Sequence, residues 1–271
     1  MLKKKLKIHM DIGIFDSGSG GLTVLKEIVR VAPNNRFIYL ADSANMPYGN
    51  KTRDEILSYG DLKMKWMKAI GVDLVSIACN TTDSVIYDSI DRYSGLFKKG
   101  IVNIIFPTVK GIVENHKVKR VGIIATEATA NSKAFDKAFQ EISNIATLSV
   151  PCPELVPLIE SQSFDYNTCY NLLLKYIKPL LDFGIDSLIY GCTHYQLISH
   201  VISDALSHYN VNVKLFDPAT FVAEEISKLD LEESKFSIEF YITDAKAKSQ
   251  LLDRVEQLFG FKPEINITKL C

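Results

Sequence analysis

Short apolar runs alternate along this chain with stretches in which apolar residues recur every three or four positions. "IGIFDS", "RFIYLAD" and "LVSIACN" read as strands, and "GLTVLKEIVRVAP" and residues 53–70 between them read as helices. Such alternation predicts parallel sheets with crossover helices, an α/β protein. Val72, Leu74, Val75 and Ile77 are too continuous for a strand with one wet face, so this strand is read as buried on both sides. It ends on Cys79 and turns polar at Asn80, Thr81 and Thr82, which suit a turn or an N-cap and predict a helix from near Thr82. A thiol at the carboxyl end of a parallel strand faces the crevice where open α/β sheets bind ligands. A lone cysteine is, just as well, an ordinary small core residue.

The pattern then starts again. A second round begins at the strand-like "NIIFPT" and "VGIIAT" and reaches "GIDSLIYGCTHY", residues 184–195. Gly71-Val72-Asp73 stands eight residues before Cys79, and Gly184-Ile185-Asp186 stands eight residues before Cys192. Upstream, Gly13 and Gly122 are 109 apart, close to the 113 that separate the two cysteines. Two thiols at equivalent strand ends of a repeated unit are much harder to read as packing than one. Two pseudo-symmetric α/β domains facing each other would put Cys79 and Cys192 on opposite walls of a cleft, the kind of place where ligands bind. Identical groups on opposite faces of a substrate suit two-base racemisation, in which one thiolate removes a proton and the other thiol returns one. A thiol pKa of about 8.5, lowered by polar neighbours, keeps both forms accessible near neutral pH.

Composition narrows the setting. The 271 residues are 47% apolar and 23% charged, with a net charge of −1, which gives no electrostatic reason to expect nucleic acid or a membrane as partner. No apolar stretch approaches the roughly 20 residues of a membrane span. The opening "MLKKKLKIHM" lacks a signal-peptide core and reads as a solvated extension over residues 1–10. Five widely spaced cysteines, at 79, 152, 169, 192 and 271, point to reduced thiols and a cytoplasmic protein. Cys152 and Cys169 have no repeat partners and are read as structural.

Other strand ends are polar too. "DSGSGG", residues 16–21, has the outline of a phosphate loop, but Thr23 stands where GxGxxG needs glycine, and GxxxxGK[ST] is absent. Its turn could still offer amides to a substrate carboxylate. Asp16 suits a substrate ammonium or the orientation of a thiol, or else a helix cap. "ADSANMPYG" brings Asp42 and the turn at Tyr48-Gly49 to the end of the second strand. His194, two residues after Cys192, could hydrogen-bond a thiol or act as its general acid. Glu160, in "PELVPLIE", reads on its own as a solvated helical residue.

Taken together, "DSGSGG", "MPYG", "ACNTT" and "GCTHY", in this order, resemble the aspartate/glutamate racemase family and within it the glutamate racemases, from Ile12 to "FYITDAKAKSQLLDRVEQLFG". The resemblance implies an isomerase that needs no cofactor or metal and interconverts L- and D-glutamate, supplying D-glutamate for peptidoglycan. It assigns Cys79 to the D side and Cys192 to the L side, Asp16 and His194 as their assistants, and Asp42 and Glu160 as supporting carboxylates. Asp16, Ser17, Tyr48, Gly49, Asn80, Thr81, Thr126, Thr129, Thr193 and His194 would line the substrate pocket. It further implies a first domain of residues 11–103 plus 213–271, an inserted second domain of 104–212, and a homodimer. Three departures stand beside the motifs: Ser19, Asp83, which would add negative charge near Cys79, and Gln196. Rival readings are a racemase for aspartate or another amino acid, a metal-binding or redox protein using Cys79, Cys192 and His194, and an amino-acid-binding protein without catalysis. The metal reading lacks the close ligand pairs of a structural zinc site, since no CxxC occurs.

Overall fold

The computed structural model describes residues 10–231 and 235–270. Most of the expected N-terminal extension, and Cys271, lie outside the described residues. Met10, counted in that extension, is instead buried, just before the first strand.

Among the described residues, ten strands form two sheets in which every pairing is parallel. β1 (Asp11–Asp16), β2 (Arg36–Ala41), β3 (Leu74–Ile77), β4 (Gly100–Val102), β9 (Ser237–Ile242) and β10 (Ile265–Ile267) make the larger, in the order β10-β9-β2-β1-β3-β4. β5 (Arg120–Ala125), β6 (Ala146–Pro151), β7 (Ser187–Gly191) and β8 (Lys214–Phe216) make the smaller, in the order β6-β5-β7-β8. The run β2-β1-β3-β4 therefore repeats in β6-β5-β7-β8. β3 and β7 are buried along their whole length, as their unbroken apolar sequences require. One buried cluster joins the halves: Ile12, Ile14 and Phe37 of the larger sheet and Val121 and Ile123 of the smaller share it with Val109 and Phe221 of intervening helices.

The repeated Gly-x-Asp has a physical cause. Gly71 and Gly184 follow the helices Arg53–Ala69 and Tyr166–Phe183 with φ of +82° and +80°, a conformation open to glycine at little cost. The aspartate two residues on pins the start of the neighbouring strand. Asp73 accepts from the Asp11 amide at 3.1 Å, and Asp186 accepts from the Lys119 amide at 2.7 Å. Gly13 and Gly122 match as well. A Cβ on Gly13 would lie 2.6 Å from the Met67 sulfur, and one on Gly122 would lie 3.0 Å from Ile185, so each lets the crossover that leads into β3 or β7 close onto its sheet. Overpacking of this kind costs about 1–3 kcal/mol.

Two sequence expectations fail locally. "NIIFPT" is not a strand: β4 ends at Val102, and Ile105–Asn115 is a helix. Pro107 is tolerated because it falls in the first turn, where no intrahelical N–H is needed. The orphaned amides of Ile104 and Ile105 donate to the buried Asp83 carboxylate at 3.1 and 2.8 Å. Asp83, expected to put charge near Cys79, is thus turned to this helix, and Asn103 donates to it as well, at 3.1 Å. The other miss is the start of the helix after β3, which runs Asn80–Ile86 with Cys79 itself as N-cap.

Candidate active site

The carboxyl ends of both sheets meet at one cavity of about 140 Å³. Pockets for drug-sized ligands are larger, roughly 300–1,000 Å³, so this one suits a small molecule. Asp16 ends β1 and Ser17 follows it, Cys79, Asn80 and Thr81 follow β3, Thr126 follows β5, and Cys192, Thr193 and His194 follow β7. All of them line it, with Tyr48 and Gly49. Both thiols thus belong to one small cavity.

Cys79 is 3% exposed. Its sulfur accepts from the Thr82 amide at 3.3 Å and lies 3.9 Å from the Ser17 hydroxyl. Burial pushes its thiol up to about 12, with the Asp16 carboxylate adding to the rise; Lys63 and the Thr82 amide oppose it. The sequence-based expectation of a thiol titrating near neutral pH is therefore corrected for Cys79, which its surroundings keep protonated there. A net rise despite the helix amide means that desolvation outweighs the hydrogen bond here.

Cys192 has a different neighbour. The Nδ1 of His194 is 3.6 Å from the Cys192 sulfur, and Nε2 is 2.6 Å from Oε1 of Glu160. The latter is an ion-pair distance; the ring N–H is poorly aligned for a hydrogen bond, so we treat it as a contact of charges. Burial works against a charge on His194, but Cys192 and Glu160 outweigh it and hold its pKa well above the usual value. Burial likewise opposes the Glu160 charge, yet His194 and the Ser19 hydroxyl bring its pKa down to about 2. Ser19 donates to Glu160 at 2.7 Å, and the Gln250 amide donates to it from the helix Lys248–Phe259. Glu160 is thus no fully solvated helical residue: its side chain is 9% exposed and stands behind His194, outside the cavity lining.

The "DSGSGG" turn serves contact between the halves. Its first-turn amides at Leu22 and Thr23 bond the Ser19 and Gly20 carbonyls, which leaves them unavailable to an anion. A Cβ on Gly20 would sit 2.4 Å from Thr193 Oγ1 and 2.5 Å from His194 Nδ1. The close approach lets Thr193 donate to Asp16 at 2.9 Å.

Asp42 and Thr129 also stand behind the lining. Asp42 accepts from the Tyr48 hydroxyl and from Thr243 at 2.8 Å, so it fixes Tyr48 without reaching the cavity. Thr129 shares a hydroxyl cluster with Thr126 and Thr81, at 2.9 and 3.3 Å. The Asn80 carboxamide lines the cavity and is buried with neither its donor nor its acceptor bonded to another side chain or backbone group. Such groups nearly always have partners, so Asn80 is set to meet a polar ligand. Gln196 lies away from the cavity, on a depression shared with Thr23 and Asp217.

Among the residues that escaped the sequence reading, two bear on the chemistry. Cys152 lines the cavity, and burial pushes its thiol up. It does have a counterpart: its amide donates to Ala125 after β6 as that of Asp42 donates to Asp16 after β2. The repeat partner is an aspartate, which a search for matched cysteines passes over. The other is Lys63, a buried lysine whose Nζ donates to the Tyr48 hydroxyl at 2.6 Å. Among the described residues, no three His, Cys, Asp or Glu side chains converge as metal ligands would, including the set that the metal-binding reading requires.

Comparison with known proteins gives the chain its relatives. The chain is 42% identical over 212 residues to a glutamate racemase of Picosynechococcus sp., covering 78% of this chain and 73% of that one. It is 38% identical to the glutamate racemase of Microcystis aeruginosa, covering 94% and 89%. The crystal structure of glutamate racemase from Francisella tularensis in complex with D-glutamate superposes with a TM-score of 0.85 at 30% identity, covering 97% of this chain and 98% of that one. The Asp/Glu/Hydantoin racemase family model matches residues 12–226, and the chain belongs to that family.

Proposed function

We propose that this protein interconverts L- and D-glutamate and supplies D-glutamate for peptidoglycan, through two thiols and without a cofactor. The relatives named above are glutamate racemases over most of their length, and one of them was solved with D-glutamate. The observation that carries the mechanism is that Cys79 and Cys192, at equivalent strand ends of the two sheets, line one cavity of small-molecule size.

In the direction from L to D, the Cys192 thiolate takes the Cα proton and the Cys79 thiol delivers its own proton to the opposite face. The electron pair of the broken C–H bond forms the new one, so nothing is oxidised or reduced. The surroundings of the two thiols suit this division. Cys79 faces the Asp16 carboxylate and rests protonated, ready to donate. The buried His194 cation, held by Glu160, stands where a Cys192 thiolate would need a counter-charge. Asp16, Ser17, Tyr48, Gly49, Asn80, Thr81, Thr126, Thr193 and His194 bind the substrate, with Thr129, Asp42 and Glu160 positioning them.

The chain divides, in this reading, into a first domain of residues 11–103 plus the C-terminal segment and an inserted second domain from 104. We set the return after Phe216 rather than at 213, because Lys214–Phe216 pairs with β7 in the smaller sheet. A cytoplasmic location and a homodimer belong to the same reading. No helix among the described residues is long and apolar enough to cross a membrane, and Cys79, Cys152, Cys169 and Cys192 are free thiols.

The test is Cα proton–deuterium exchange in D2O with L-glutamate, D-glutamate and both aspartate enantiomers, on dialysed enzyme. Exchange and inversion of both glutamate enantiomers are expected. Exchange confined to aspartate would replace the substrate, and no exchange with any of the four would end the racemase reading.

A further inference from the structure

Lys63 is the buried charge that this mechanism leaves unused. It lies on the helix Arg53–Ala69 and is 0% exposed. Its Nζ donates to the Tyr48 hydroxyl at 2.6 Å, and sits 4.4 Å from the centroid of the Tyr48 ring and 5.2 Å from that of Phe15. Among the described residues it makes no direct ion pair. The nearest compensation is one step away, because the Tyr48 hydroxyl in turn donates a hydrogen bond to Asp42. Burying an ammonium with so little direct pairing is costly. A methionine would fill the same space between two rings without that cost, so packing alone does not account for a lysine. Tyr48 in turn packs with Cys79, Ile56 and Val85 in one buried cluster and forms the cavity wall on that side.

We propose that Lys63 is a positioning residue of the reaction: its ammonium, clamped behind Tyr48, is the fixed positive charge that balances Asp16, Asp42 and a Cys79 thiolate on this wall. The inference rests on the reading of Cys79 as a proton-carrying group. Two-base chemistry needs Cys79 to exist as a thiolate during each turnover, and in a buried site next to Asp16 that state is disfavoured. The groups facing Cys79 are Asp16 and Ser17 after β1, Tyr39 on β2, Tyr48, Lys63, and Thr82 on its own helix. Lys63 is the one cation among them. Burial depresses the proton affinity of Lys63, while Asp42, Cys79 and Asp16 support its charge.

The test labels the native enzyme and its variants with iodoacetamide between pH 7 and 8, well below the ordinary lysine range because burial lowers Lys63, and follows Cys79 and Cys192 separately by peptide mass. Labelling rate follows the thiolate fraction. Lys63→Met should slow labelling of Cys79 by about tenfold at fixed pH, the effect of about one pKa unit. Cys192, labelled in the same sample, should stay within about twofold, which reports that the cavity is equally open. Lys63→Arg should recover most of the Cys79 rate. An unchanged Cys79 rate in Lys63→Met, or an equal loss in Lys63→Met and Lys63→Arg, would overturn the proposal. Tyr48→Phe removes the hydroxyl and keeps the cation. Cys79 should label at least as fast in it, and a slowed rate would assign the effect to the hydroxyl and overturn the proposal even if Lys63→Met does not fold. Because labelling needs no turnover, it reads Lys63 independently of whether Cys79→Ser abolishes racemisation, which tests the two-thiol reading itself.

Discussion

Thr193 donates its hydroxyl to the Asp16 carboxylate over 2.9 Å, so the residue after the second thiol holds the carboxylate nearest the first. The contact joins the ends of β7 and β1, one from each sheet. Asp16 thereby links the two halves of the site while its charge raises the Cys79 thiol. These two roles can be separated by a substitution that keeps the hydrogen bond and removes the charge.

Asp16→Asn should therefore speed iodoacetamide labelling of Cys79 at fixed pH, because a cause of its raised pKa is gone, while lowering racemisation by about 10²-fold or more. Labelling rates and a full pH profile of turnover check it. Unchanged labelling would mean that Asp16 does not face the thiol as the geometry requires.

How far the chain could be read in advance differed from place to place. The repeat was legible because Gly71, Asp73, Gly184 and Asp186 do the same backbone work in both halves, and backbone work constrains residue type tightly. Cys152 was hidden because its counterpart, Asp42, shares its position but not its chemistry. Glu160 and Lys63 were hidden for another reason. A helix sequence reports which residues are polar, but not that the polar face turns inward toward Ser19 and His194, or toward Tyr48. "NIIFPT" misled because a short apolar run fits a strand or a buried helix start equally well. Only the distant Asp83, capping the amides of Ile104 and Ile105, decides between them.

Asp83 gives a test that separates stability from chemistry. Asp83→Ala leaves the Ile104 and Ile105 amides and the Asn103 side chain without their acceptor, a cost of about 2–4 kcal/mol. The urea midpoint should fall accordingly, while kcat per folded molecule at 25 °C stays within about twofold. Loss of activity without loss of stability would return Asp83 to the site.

Glu160 should mark the acid limb of stability. Its pKa, about 2 in the fold, lies below the ordinary 4.5. A depressed carboxyl stabilises the fold above its unfolded pKa, and that contribution is lost as pH falls from about 4.5 toward about 2. The urea midpoint of the native protein should therefore drop more steeply across this window than that of Glu160→Gln. The variant should also lose activity near neutral pH, since His194 gives up a partner that holds its charge. Parallel slopes for the two proteins would show that the charge contact with His194 contributes nothing to folding.

The thiols themselves cannot be told apart by ordinary racemase kinetics. L- and D-glutamate have equal free energies in water, so the ratio of kcat/KM in the two directions is fixed at unity for the enzyme and every variant. Cys79→Ser and Cys192→Ser should each lower both values together, by several orders of magnitude, because a hydroxyl ionises far less readily than a thiol. A reaction that stops after one proton transfer removes the constraint. With a leaving group at the β carbon, abstraction at Cα suffices: the C–H electron pair forms the α,β double bond as the leaving group departs with its own pair. Each variant retains one thiol on one face of the substrate. Cys79→Ser should then still eliminate from the L-configured analogue through Cys192, and Cys192→Ser from the D-configured one through Cys79, with keto acid formation as the readout. Near-normal racemisation by either variant would end the two-thiol mechanism. Elimination with the enantiomers exchanged would keep the mechanism and reverse the faces, and with them the pairing of Asp16 and His194 to the two directions of proton transfer.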